Sequence, residues 1–194
     1  RTLQILDCAA LEVSGADGIQ GYPETLWKLL TRYQIPLFIF VNKMDQDGTD
    51  QEKLFEELKS RLGEGCVDFG GLSCQEQTGY VTGESQALEE LAVCDEGMME
   101  EYFEHGKVRL QAVRDAVDER KIFPCWFGSA PKLAGVEALM DGLRLYSPEK
   151  GYPEQFGAKV YKIARDAQGN RLTYLKVTGG ELKVKDILPD TGEK

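Results

Sequence analysis

The chain has 194 residues, an ordinary apolar fraction of 42% and a formal net charge of −10, which is length enough for one domain or one and a fraction. No stretch approaches the ~20 apolar residues of a membrane span, and no signal peptide or polybasic segment is seen, so no membrane partner is expected. So acidic a balance argues against this piece gripping nucleic acid by itself, while five cysteines without C-x-x-C spacing argue against zinc and disulfide frameworks and suit a reducing, cytoplasmic setting.

Taken in chain order, Ala9 to Val13 reads as a strand, although Glu12 puts a charge in it. Pro23 suits the first turn of a helix, and Leu26, Leu29, Leu30 and Tyr33 recur behind it at helical spacing. Leu37 to Val41 is unbroken apolar sequence, as expected for a parallel strand covered on both faces. A second helix carries Leu54, Phe55, Leu58 and Leu62 on one stripe, with Gly63 as its cap. From Gly63 to Lys121 the sequence predicts a loop with room for one short strand. Helices follow near Gln86–Val93, Glu96–Glu104 and Val108–Arg120. Ile122 to Phe127 is the next apolar strand, with Pro124 near its start, where proline is tolerated. A helix from about Val136 to Tyr146 is expected to turn Leu139, Met140 and Leu143 inward. Two prolines and a glycine in Ser147–Pro153 mark a linker. Beyond it the period moves towards two: strands at Ala158–Arg165 and Leu172–Thr178 flank the turn Ala167-Gln168-Gly169-Asn170, and a third is read at Glu181–Lys185. Cys8 and Cys125 read as small buried residues of apolar strands.

The residues that carry chemistry sit at the ends of two of these strands. Asn42-Lys43-Met44-Asp45 follows the Leu37–Val41 run, at the carboxyl end of a strand, where open α/β sheets bind ligands. An aspartate there can accept two hydrogen bonds from the ring N–H and exocyclic amine of guanine. Adenine has no matching pair of donors and would leave the carboxylate unpaired. Lys43 can lay its methylenes along a purine, and Asn42 can tie neighbouring loops together. A polar loop after a strand is the plainer alternative. Gly128-Ser129-Ala130 ends the second strand, and small residues there let backbone N–H groups approach the guanine carbonyl. The expected guanine-binding set is therefore Asn42, Lys43, Asp45, Ser129 and Ala130. No catalytic residue and no metal ligand is assigned. The chain lacks G-x-x-x-x-G-K followed by Ser or Thr, the loop that cradles phosphates, and no Asp-x-x-Gly after a strand is read as serving the γ-phosphate and its metal. His105 and the acidic pairs Glu89-Glu90, Asp95-Glu96 and Glu100-Glu101 read as solvated helix surface.

These motifs and their surroundings resemble the translational GTPases, and among them most the tetracycline-resistance ribosomal protection proteins, relatives of elongation factor G. The resemblance runs from Arg1–Asp7, similar to the end of the helix after the second switch, through Glu12–Gln20, Thr25–Leu30 and Ile35–Asp45. It resumes at Phe123–Ala130 and includes Ala158–Ile163 and Arg171–Val177. It implies an α/β fold: the C-terminal part of a P-loop GTPase domain (parallel sheet, flanking helices and a helical insert) and then the first strands of an incomplete β-barrel. The implied divisions are 1–147 for the partial GTP-binding domain with an insert at about 63–121, 148–155 for the linker, and 156–194 for the start of the barrel. Glu12, Gly97 and the Gly-rich passage Gly63–Gly83 depart from the family pattern. The chain opens on Arg1 rather than Met and is read as an internal piece of a larger factor. GTP or GDP with Mg²⁺ is implied for the full-length protein, with none assigned to this piece alone, and the ribosome and a guanine nucleotide are the implied partners. By itself the piece is expected to be inactive as a GTPase, and its open barrel strands are expected to pair with another molecule or with its own first domain. Three other readings stay open: an ordinary elongation factor G-like translocase, a stand-alone binding module without catalysis, and an unrelated doubly wound enzyme. The last is disfavoured because no G-x-G-x-x-G lies between a strand and a helix.

Overall fold

The computed structural model describes residues 2–19, 21–148 and 150–187. They fall into two compact units, one of Asp7–Pro148 and the other of the described residues before and after it. In chain order the larger unit runs β1 (Ala9–Ser14), α1 (Tyr22–Arg32), β2 (Leu37–Asn42), α2 (Gln51–Leu62), β3 (Cys66–Asp68), β4 (Leu72–Gln75), β5 (Tyr80–Gly83), α3 (Ser85–Ala92), α4 (Glu96–His105), β6 (Val108–Arg109), α5 (Leu110–Asp118), β7 (Phe123–Phe127) and α6 (Val136–Tyr146).

Four of these strands make a parallel sheet in the order β1-β2-β7-β3. All six positions of β2 are buried; with helices on both faces, no residue of an inner strand has a solvent side to alternate towards. β1 lies at an edge and alternates instead, which resolves the position of Glu12: it occupies an exposed site between buried Leu11 and Val13.

The helices cover the sheet with narrower faces than their sequence stripes suggest. In α2, Leu54, Leu58 and Leu62 are buried, Asp50 caps the first turn through the Lys53 N–H, and Gly63 closes the last at φ 137°. In α1 only Leu30 of the expected stripe is buried; Leu29 and Tyr33 are exposed. Met140 in α6 is also exposed, at 60%, against the expectation that it turns inward. The buried face of α6 holds Gly142, Leu145 and Tyr146, because a Cβ on Gly142 would stand 2.2 Å from the Trp126 ring. The indole fills the place where a side chain would go, and so sets the helix's rotation.

The passage from Gly63 to Lys121, expected as a loop with room for one short strand and then helices, contains β3 of the main sheet and a three-stranded antiparallel sheet β4-β5-β6 as well as α3, α4 and α5. Val108 belongs to strand rather than helix: it pairs with Val81, and α5 begins at Leu110. The core is continuous across this region, with Phe38, Val67 and Trp126 of the main sheet packed in one cluster with Val81, Leu91, Met98 and Val113. All five cysteines are free thiols. Cys66 and Cys125 are wholly buried, whereas Cys8, which precedes β1 rather than lying in it, is half-buried.

In the smaller unit Thr2–Ile5 forms a single 3-10 turn, and β8 (Gly157–Arg165) and β9 (Arg171–Gly179) form an antiparallel hairpin. Lys159 and Lys176 donate from Nζ to the carbonyls of Gln4 (3.1 Å) and Ile5 (2.8 Å), fixing that turn on the hairpin. The hairpin loop is organised by Asp166, whose Oδ1 accepts the N–H groups of Gln168 and Asn170, with Gly169 at φ 88°. The third strand expected at Glu181–Lys185 does not form. Asp186 accepts the Lys183 N–H at 2.7 Å and Lys185 takes a left-handed φ of 75°, which turns the chain where a strand would extend it. The architecture is thus an α/β unit with a parallel sheet and flanking helices, followed by an antiparallel hairpin. Among the described residues no helix is long and apolar enough to cross a membrane.

Candidate functional site

Parallel registration brings the carboxyl ends of β1, β2 and β7 into one row: Ser14 pairs with Asn42, and Val41 with Phe127. Every residue of the expected guanine set lies in this row or in the loops that leave it. They are stitched together first by backbone. Gly128 N donates to Val41 O, and Met44 N to Gly128 O, each at 2.9 Å. Gly128 has no room for a side chain, since a Cβ would stand 2.1 Å from the Ala134 carbonyl oxygen. Ser129 and Ala134 exchange backbone hydrogen bonds of 3.0 and 3.1 Å, which folds the loop back on itself.

Asn42 is the side-chain hub. It is buried, its Oδ1 accepts the Lys43 N–H at 2.7 Å and the Ala130 N–H at 2.9 Å, and its Nδ2 donates to Glu12 Oε1 at 2.6 Å. One amide thereby joins β1, the β2 loop and the β7 loop, using both its acceptor and its donor. Lys43 follows with a left-handed φ of 64°, a conformation unusual for a side chain of its size and one that occurs where the surrounding structure imposes it. Its ammonium lies 3.6 Å from Asp17, whose carboxylate also accepts the Ser14 hydroxyl at 2.7 Å. That hydroxyl, and Lys43 after it, hold the Asp17 carboxyl below its usual range.

Asp45 turns its carboxylate towards the β7 loop, where Lys132 Nζ stands 3.1 Å from Oδ2. The nearby Ser129 hydroxyl, and Lys132 after it, hold the Asp45 carboxyl below the ordinary aspartate range, so it is charged at neutral pH. Ser129 Oγ itself is buried and completes no hydrogen bond among the described residues. A buried hydroxyl set beside an anionic carboxylate without a well-formed hydrogen bond fits a polar ligand that brings donors and acceptors of its own.

The sequence reading missed three residues of this constellation. Glu12 had left a signal, a charge out of place in a strand. Asp17 and Lys132 had left none, because surface charges near a loop are common. Asp-x-x-Gly was also passed over: it occurs at Asp45–Gly48, at Asp68–Gly71 and at Asp166–Gly169, the second beginning on the last residue of β3. The Asp68 carboxylate is committed locally, accepting from Gly70 N at 2.8 Å and Gln51 Nε2 at 2.9 Å, and burial raises its pKa.

Residues 1–149 match the family described as the elongation factor Tu GTP binding domain. The chain belongs to that family. It is a translational GTPase domain related to elongation factor G: the elongation factor G of Ureaplasma parvum serovar 3 is 27% identical over an alignment of 241 positions, gaps included, taking in 94% of this chain and 35% of that protein. That of Ureaplasma urealyticum serovar 10 is 28% identical with the same coverage. A crystal structure of a Thermus thermophilus protein shares the fold, with a TM-score of 0.73 at 23% identity over 95% of this chain and 33% of that one. The chain thus spans about a third of the length of the elongation factors it matches. The family binds GTP with Mg²⁺.

Proposed function

We propose that Asn42, Lys43, Asp45, Ser129 and Ala130 read the guanine of a GTP or GDP bound by a longer translation factor. The observation that supports this most directly is a charged Asp45 carboxylate beside the buried Ser129 hydroxyl, which completes no well-formed hydrogen bond, with the two loops tied at the carboxyl end of the sheet by Asn42. In this reading Asp45 accepts the ring N–H and exocyclic amine, Lys43 flanks the base, and Ala130 and Ser129 present the polar wall facing the guanine carbonyl. Phosphates and Mg²⁺ are held by other segments of the longer protein, where the Mg²⁺ neutralises charge on the transferred phosphoryl group. The test is Asp45→Asn in the longer protein, with GTP competed against ATP and ITP. Loss of the preference for GTP is expected, and unchanged discrimination would overturn the assignment.

The division of labour proposed for the chain follows from this. Residues 1–147 act as part of a GTP-binding domain with an insert at about 63–121, 148–155 as a linker, and 156–194 as the opening of a barrel whose remaining strands lie elsewhere. The longer protein works in the cytoplasm on the ribosome. The likeness of Leu26-Trp27 and Phe123–Ala130 to ribosomal protection proteins favours release of tetracycline over ordinary translocation. Expression of the longer protein in tetracycline-sensitive bacteria tests this finer reading: a raised inhibitory concentration supports it, and unchanged sensitivity returns the protein to translocation.

A further inference from the structure

Besides the backbone bond from Met44 to Gly128, side chains join the two loops of the site twice, at the back by Asn42 in a buried position and at the front by an ion pair open to solvent. The front connection is Lys132 Nζ to Asp45 Oδ2, at 3.1 Å. Lys132 closes the 3-10 turn Ala130–Lys132, whose backbone is pinned by Lys132 N to Ser129 O at 3.2 Å and by Leu133 at a left-handed φ of 56°. The backbone on both sides of Lys132 is fixed, so its side chain is held on the loop that faces Asp45. Guanine offers two donors and needs both oxygens of this carboxylate in a favourable direction, and one of them already holds an ammonium.

Resting on the guanine assignment above, we propose that Lys132 is a latch on Asp45: it occupies the base-reading carboxylate in the empty site and is displaced when guanine enters. The latch gives the empty carboxylate a partner and keeps the loops together, and in doing so it competes with the ligand. With Oδ2 held by the ammonium, competition falls more heavily on a base that needs both oxygens than on one that needs a single oxygen. Lys132 therefore lowers both the affinity for guanine and its margin over hypoxanthine, which lacks that amine and is satisfied by one oxygen.

The experiment is a titration of the ¹⁵N-labelled 194-residue chain with GMP, IMP and AMP, following the amides of Asp45 and Ala130, in the wild type, Lys132→Met and Lys132→Arg. Exposed ion pairs are worth little, so the expected gain is small: about two- to five-fold tighter GMP in Lys132→Met. IMP should tighten less, and Lys132→Arg should behave as wild type. Raising the salt should tighten GMP in the wild type more than in Lys132→Met, because screening loosens the pair that only the wild type has. A preference for GMP in the wild type with the same GMP to IMP ratio in Lys132→Met overturns the latch and leaves the guanine site intact. Equal response to AMP and GMP in every version, or none to either, overturns the guanine site itself and the latch with it.

Discussion

The amide of Asn42 accepts the backbone N–H of Ala130 at 2.9 Å, joining residues 88 positions apart in the chain. The same side chain donates to Glu12 and accepts from Lys43, so three segments take their relative positions from one group. Asn42→Ala leaves two part-buried N–H donors and the Glu12 carboxylate without their partner. The expected loss is about 1–3 kcal/mol of stability, read by urea unfolding, with the Ala130 amide shifting most in an NMR spectrum. A loss confined to nucleotide binding, with stability unchanged, would show that the hub is not a structural tie.

Gly142 lies against the Trp126 ring so closely that a Cβ would come within 2.2 Å. Gly→Ala in a helix interior ordinarily raises helix propensity by up to about 1 kcal/mol. Here overpacking dominates, and Gly142→Ala is expected to destabilise by about 1–3 kcal/mol. A rise in the melting temperature would refute the packing argument.

Two aspartates should respond to acid in opposite senses. Asp95 caps α4 through the Gly97 and Met98 N–H groups, and Lys121, before those N–H groups, holds its carboxyl below the ordinary 3.8. Its contribution is present in full above the unfolded value and is lost as pH falls through the depressed folded one. Asp95→Ala should cost about 1 kcal/mol at pH 7, and the difference should shrink in strong acid. Burial raises the Asp68 carboxyl above 3.8, so its charged form costs stability at neutral pH. That cost is relieved as pH falls through the raised folded value towards the unfolded one. Carboxyl ¹³C titrations that placed both groups on the same side of 3.8 would contradict this assignment of causes.

The 194-residue chain is expected to release no phosphate from GTP above background. Attack on the γ-phosphate needs a cradle for the phosphates, a metal and a positioned water, and the residues assigned here address the base alone. Phosphate release that persists in Asp45→Asn would point to a second site; release abolished by it would require this site to do more than read guanine.

Local features of the fold were legible where one physical signal dominates. Leu37–Val41 could be read as a covered strand because an inner strand has no solvent side, and α2 because Leu54, Leu58, Leu62 and Gly63 combine period and cap. What depended on distant partners was not. Val108 is strand only because Val81 lies beside it, and Met140 faces out because Trp126 claims the place beside Gly142. The polar four-residue strands β4 and β5 carry too little pattern to stand out from the loop around Gly79. At the site, loop chemistry was visible as Asn42-Lys43-Met44-Asp45 and Gly128-Ser129-Ala130. The Lys132 contact depends on a left-handed turn at Leu133, which nothing in that side chain's chemistry announces.

The distribution of thiols gives the molecule a chemical stopwatch. Cys66 and Cys125 lie on the adjacent strands β3 and β7 and are sealed from solvent, while Cys8, Cys74 and Cys94 are only half-covered. Burial pushes the Cys94 thiol up to about 11 and holds Cys125 well above its usual range, so few thiolates are on hand to react in the closed state. Alkylation of the first pair must wait for the sheet to part, whereas the other three need only smaller excursions. The staggered loss of reactive sulfur over time therefore records, without any added label, how often each layer of the protein opens.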